Sequence, residues 1–166
     1  MEAGAGGNQL HETFSFEQFL ATAETNPLTW EETVEAYEKR HRQAIESRIR
    51  GKQKVAVLLS GGYDSGGNLS VLREFYQGEI TAYSVGFENN ALSELPLATL
   101  MAEKFDAKIT PFLLDGTEME ALPKILAAFE EPFFENGLFI NHKVASSINP
   151  SDTDVVLGGD GNDQFF

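Results

Sequence analysis

The sequence predicts an α/β protein with a parallel sheet and helices on both of its faces. Three observations predict it. Short aliphatic runs at residues 55–59, 80–85, 109–114 and 154–157 suit buried strands and are too short for helices. Helical patterns of about 10–15 residues separate them, the spacing of right-handed crossovers between parallel strands. The first run stops abruptly in Ser60-Gly61-Gly62, a turn that lets a strand feed straight into a helix.

The elements follow in order. Residues 1–28 read as a flexible lead-in, with a small-residue stretch at 1–7 that is a tail or an expression remnant. Within it Phe14, Phe16, Phe19 and Leu20 are expected to pack onto the domain, which spans 29–166. Asn26-Pro27 punctuates, and Thr29 with Glu32 forms a capping box. Trp30, Val34, Tyr37, Ala44, Ile45 and Ile49 then share one helical stripe. The basic run Lys39, Arg40, Arg42, Arg48, Arg50, Lys52 and Lys54 reads as its solvated far side and beyond. After the first strand a helix begins at about Ser65, carries Leu69, Val71, Leu72 and Phe75, and ends near Gly78. The second strand lies within 79–87, a helix over 93–107 presents Leu97, Leu100, Met101 and Phe105, and the third strand follows. Thr117 and Glu120 make a second capping box, opening a helix through Met119, Leu122, Ile125, Leu126 and Phe129 that Glu130-Glu131-Pro132 stops. A helix over 138–148 and the fourth strand complete the pattern. Ligands of such sheets sit at the strand carboxyl ends, where Ser60 and Gly158 both fall.

Composition narrows the function classes. With 42% hydrophobic and 23% charged residues, the 166-residue chain is an ordinary globular domain with room for a core. Its net charge of −14, from 26 acids against 12 bases, argues against nucleic acid or an anionic membrane as partner. The absence of cysteine excludes disulfides, thiolate metal sites and cysteine nucleophiles. No signal peptide or apolar stretch of about 18 residues occurs, so the expected location is cytoplasmic. His11, His41 and His142 lack ligand spacing and read as surface or core, and Asn68-Leu69-Ser70 is a glycosylation sequon by letters only.

The chemistry concentrates in Ser60-Gly61-Gly62-Tyr63-Asp64-Ser65. Two glycines let the backbone curl with its N–H groups inward, and a helix opening just after adds the positive end of its dipole. Such a strand–turn–helix cradles phosphate, and Asp64 is placed to hold the Mg²⁺ that accompanies it. The pattern S-G-G-x-D-S occurs by chance in about one chain in five thousand of this size. It is not a Walker loop, since no G-x-x-x-x-G-K-[ST] occurs in the chain. Residues 55–65 resemble the pyrophosphate loop of the N-type ATP pyrophosphatases, specifically the synthetase domain of the asparagine synthetase family. Relatives of that family close lactam and lasso-peptide rings.

A second segment, residues 158–166, resembles the family's later Ser-Gly-Glu-Gly-x-Asp-Glu-Leu-Phe signature. Gly159, Gly161, Asp163 and Phe166 match; Gly158, Asp160, Gln164 and Phe165 replace Ser, Glu, Glu and Leu. Asp160 keeps a carboxylate one methylene shorter, and Gln164 loses a charge. The segment also fits the calcium nonapeptide of β-rolls, but those need several stacked copies and here there is one. An EF-hand fails because Phe165 stands where the turn glycine belongs.

The resemblance implies a Rossmann-like, PP-loop ATP pyrophosphatase fold with ATP and Mg²⁺ as its cofactors. It implies ATP and pyrophosphate contacts from Leu58, Leu59, Ser60, Gly61, Gly62, Asp64, Ser65, Val85, Gly86 and Gly159. Asp64 and Asp163 would share the metal, Asp160 would join them in the chemistry, and Glu131 is a substrate-side acid. The implied activity is a carbon–nitrogen ligase that adenylates a small carboxylate or peptide, releases pyrophosphate, and then accepts ammonia or an amine. The alternative is a catalytically inactive nucleotide-binding or interaction module. Complete members carry a glutaminase domain with a first-position cysteine and continue through a helical C-terminal part. The resemblance therefore makes this chain an expected portion or split subunit, with a complementary C-terminal subunit or a second copy as partner.

Overall fold

The computed structural model describes residues 15, 17, 21, 28–87, 93–129 and 137–160. The expected packing of Phe14, Phe16, Phe19 and Leu20, the Glu130-Glu131-Pro132 stop, and Gly161 to Phe166 lie outside them. The chain forms two compact units, Met1–Ala36 and Tyr37–Phe166.

Helix α1, Trp30–Ile49, starts as the capping box requires. The Thr29 N–H donates to Glu32 Oε2 at 2.8 Å and the Glu32 N–H to Thr29 Oγ1 at 3.2 Å. Its apolar stripe is buried only at Ile45 and Ile49; Trp30 is 77% and Val34 37% exposed. The expected six-residue stripe is therefore a two-residue anchor at the helix's C-terminal end.

Strand β1, Val55–Leu58, runs into helix α2, Tyr63–Phe75, which starts two residues earlier than expected and stops before Gly78. Strand β2 is Ile80–Phe87, helix α3 is Leu95–Lys104, and strand β3 is Lys108–Leu114. Then come a 3-10 helix, Thr117–Ala121, helix α4, Leu122–Phe129, helix α5, Leu138–Ser147, and strand β4, Val155–Leu157.

The capping box expected at Thr117 does not form. Asp115, two residues upstream, takes both the Thr117 N–H at 3.0 Å and its hydroxyl at 2.7 Å. Asp side chains bond the backbone two residues on, and here that local turn wins over the box. The helix accordingly opens as a 3-10 turn after Gly116, whose φ of +97° favours glycine.

Four parallel strands pair in the order β3-β2-β1-β4. Alternate side chains of each strand serve opposite faces. On one face Val55, Val57, Leu59, Ile80, Ala82 and Leu157 join Ile45, Ile49, Leu69, Leu72, Ala98 and Ala102 of α1, α2 and α3. On the other, Ala56 and Tyr83 meet Val144 of α5, with Phe112 and Ile140 packed around them. Helices thus cover both faces. Leu58 pairs with Tyr83 and Val57 with Leu157, so the turns after β1 and β4 emerge together at the carboxyl edge. Among the described residues no helix is long and apolar enough to cross a membrane.

Candidate functional site

The first glycine turn is built from its own hydroxyls. Leu59, 2% exposed, is fixed in the core, and its N–H donates to the Tyr83 carbonyl at 2.8 Å. The chain then lifts out of the sheet at Ser60. The Ser60 N–H donates to Ser65 Oγ at 3.2 Å, and the two hydroxyls lie 3.0 Å apart. Ser60 Oγ also accepts from the Gly62 N–H at 3.2 Å, closing the turn on itself.

Gly61 takes a φ of +93°, which a side chain would strain. A Cβ there would also meet the Glu94 carbonyl oxygen and Leu97 Cβ, both at 3.2 Å. The start of α3 therefore closes directly over the turn. Gly86 serves the same approach from β2, since a Cβ would meet Leu95 Cδ2 at 2.9 Å and Ser93 Oγ at 3.1 Å.

Helix α2 then begins with no side-chain cap, because its N-cap is Gly62. The leading N–H groups of any helix lack intrahelical acceptors, and its dipole places partial positive charge there. Asp64 sits in this first turn.

The second glycine turn arrives at the same place. A Cβ on Gly159 would stand 3.1 Å from the Ser65 nitrogen and 3.3 Å from Asp64 Cβ. A side chain there would force the helix end to give by a few tenths of an ångström, so glycine favours the close approach. Asn68 Nδ2, one helical turn beyond Asp64, donates to the Gly158 carbonyl at 2.7 Å. His41 Nε2 lies 2.7 Å from Asn68 Oδ1.

Of the residues expected at the site, Ser60, Gly61, Gly62, Asp64 and Ser65 form the first turn, and Gly159 is brought onto it. Asp160 follows directly, its Oδ2 3.3 Å from where a Gly158 Cβ would be. Leu58 and Val85 pack in the α5-side core. Leu59 and Gly86 are buried. Asp163 and Glu131 lie outside the described residues. Sequence reasoning missed Asn68 and His41. The signal was available for Asn68, because Asp64 and Asn68 stand four apart on a helix and so share a face.

Among the described residues no group of three His, Asp or Glu could by itself hold a metal ion. Mg²⁺ on nucleotides is held by one or two carboxylates with phosphate and water oxygens, and Asp64 at an uncapped helix start suits that donor set. A cleft of about 460 Å³ opens at the opposite, amino edge of the sheet, lined by Lys54, Thr81, Tyr83, Lys108 and Phe112 among others. It is remote from the glycine turns.

The family model for asparagine synthase matches residues 36–166. The chain belongs to the asparagine synthase family. A putative glutamine-hydrolysing asparagine synthetase of Methanocaldococcus jannaschii is 31% identical over 125 residues, 74% of this chain and 24% of that protein. A glutamine-hydrolysing asparagine synthetase of Bacillus subtilis is 31% identical over 124 residues, 74% of this chain and 19% of that protein. The chain thus spans about a quarter or less of these family members. Among solved structures, a glutamine-dependent NAD⁺ synthetase of Acinetobacter baumannii in complex with ADP superposes with a TM-score of 0.61. That match has 17% identity over 86% of this chain and 28% of the other, a likeness of fold. The asparagine synthase family assignment agrees with the two glycine motifs and with the parallel sheet they interrupt.

Proposed function

We propose that this chain is the ATP-binding part of an amide-forming ligase of asparagine synthetase type. Ser60, Gly61, Gly62 and Ser65 take the β- and γ-phosphates, and Val85 and Gly86 flank the adenine with backbone groups. A substrate carboxylate oxygen attacks the α-phosphorus, the bond to the bridging oxygen breaks, and pyrophosphate leaves. Ammonia or an amine then attacks the acyl carbon, loses a proton, and AMP departs. Mg²⁺, held by Asp64 and Asp163, would neutralise charge on the phosphates. Asp160 would join them in the chemistry, and Glu131 would serve as the substrate-side acid.

One observation carries this reading: the backbone of Gly159 lies against the Ser65 nitrogen at a helix start that no side chain caps. Two glycine turns from distant parts of the chain meet there, and bare backbone at a helix start is the setting in which N–H groups receive anionic oxygens. The test is ATP–pyrophosphate exchange with candidate carboxylates, on the chain alone and with any complementary subunit. Exchange abolished by Asp64→Asn supports the ligase. Nucleotide binding without exchange under every condition supports the inactive module instead.

A further inference from the structure

We infer that Asn68 is a positioning residue that sets the second glycine turn against the start of α2, and that His41 orients it. The inference rests on the reading of this corner as a nucleotide site.

The hydrogen-bond assignment is forced. The Gly158 carbonyl can only accept, so the Asn68 atom 2.7 Å from it is the NH₂ group. Oδ1 therefore faces His41 and can only accept, so His41 Nε2 carries a proton. The imidazole is itself held. Its ring stands 5.5 Å from that of Tyr37, tilted by 50°, and its Cε1 lies 3.8 Å from where a Gly67 Cβ would be. The relay runs from α1 through α2 to the turn after β4.

Such a relay matters because, among the described residues, few other bonds hold that turn. Strand β4 is three residues long, and Val155 and Val156 are only half-buried. Its described pairing is with β1 alone. The Asn68 bond reaches the chain one residue before Gly159, the residue in contact with Ser65 and Asp64. A rotation about Gly158 would swing Gly159 and Asp160 off the helix start. The amide denies that rotation.

The decisive variant is Asn68→Asp. It keeps the shape and the acceptor towards His41 but exchanges the donor for a negative charge, setting two oxygens against each other at Gly158. The uncharged His41→Phe and hydrogen exchange therefore separate positioning from repulsion of phosphate. We expect the MgATP dissociation constant to rise roughly tenfold, with the melting temperature close to that of the parent chain. Amide hydrogen exchange at Gly159 and Asp160 should quicken. Affinity for adenosine, which lacks phosphates, should hold; a general loss of structure would weaken both ligands together. His41→Phe keeps a ring and loses only the proton donor, and should weaken MgATP by a smaller factor. It also decides the matter should Asn68→Asp not fold.

If the parent chain binds MgATP and these variants bind it equally well, the positioning role is overturned while the nucleotide reading stands. If the parent chain fails to bind MgATP, the nucleotide reading falls and takes this inference with it.

Discussion

At Gly159 a methyl group would stand 3.1 Å from the Ser65 nitrogen, and at Gly67 a methyl would stand 3.8 Å from His41 Cε1. The first is a tight contact with backbone that must yield by a few tenths of an ångström at the proposed phosphate corner, while the second is ordinary van der Waals contact in mid-helix. Opposite outcomes follow for one chemical change. Gly159→Ala should raise the MgATP dissociation constant at least tenfold by prising the turns apart. Gly67→Ala should instead stabilise the fold by about 0.5–1 kcal/mol, the usual helix-interior difference between glycine and alanine. Urea unfolding measures the second, and a destabilised G67A would mean that α1 packs more tightly on α2 than these distances indicate. Ser84 is a third case at this scale. Its hydroxyl is buried at 2% exposure and has no hydrogen-bond partner among the described residues. Leaving a buried hydroxyl unsatisfied is costly, so Ser84→Ala should leave stability unchanged or raise it slightly in the same urea series.

Helices and strands are joined here by a few polar anchors that the apolar periodicity does not reveal. Arg73, near the end of α2, donates to the carbonyls of Phe105, Tyr76, Gly78 and Asp106. One guanidinium so closes the ends of α2 and α3 and the approach to β2. Arg73→Lys cannot reproduce that fork and should cost about 1–3 kcal/mol, measured by urea unfolding. Asp154 plays the same part at the amino edge, accepting the N–H groups of Gln53 and Lys54 at 2.9 and 3.0 Å. The Gln53 N–H first, then that of Lys54, holds its carboxyl below the usual carboxylate range. A group depressed in the folded state contributes stability above its unfolded value, near pH 4, and loses that contribution as pH falls towards the folded value. Asp154→Asn should therefore weaken the fold at neutral pH, with the difference from the parent closing below about pH 4. Urea midpoints across pH 3–7 check it, and a gap that widens on acidification would refute the assignment. These anchors explain which elements were legible. Strands β1 and β2 announced themselves by aliphatic runs ending at glycines. The Thr117 capping box looked equally plain, yet Asp115 captured its hydroxyl. In α1, Trp30 and Val34 had the right spacing and yet stay exposed, while Ile45 and Ile49 are buried. Periodicity shows which residues share a face, and only packing shows whether that face is covered.

Across the whole molecule the sign of the charge runs against the proposed ligand. The alternating pattern made the parallel sheet legible and both glycine turns conspicuous, but nothing in Val155–Leu157 says that it pairs beside β1. The motifs placed Ser60 and Gly158 at the same sheet edge, and this pairing is what brings Gly159 to Ser65, a contact that only three dimensions show. The same view shows where several of the scarce bases go. Arg42 pairs with Glu46 and Glu74 and lies over Phe75, Arg48 bonds the Ala44 carbonyl, and Lys54 bonds that of Ser151. Lys143 meets Glu118, and Arg73 is bound to carbonyls. The turn from Ser60 to Ser65 contains no Lys or Arg, so in the proposed site phosphate would be drawn by backbone dipoles against a net charge of −14. Long-range repulsion is screened by salt, while contact with N–H groups at close range is screened far less. Raising salt from about 10 to 150 mM shortens the screening length from roughly 30 to 8 Å. MgATP binding should therefore strengthen as salt is added, opposite to a phosphate site built from basic side chains. Titrations at fixed Mg²⁺ and rising NaCl read the slope directly. Binding that weakens steeply with salt would mean that lysines or arginines grip the phosphates, and the backbone cradle would have to be abandoned.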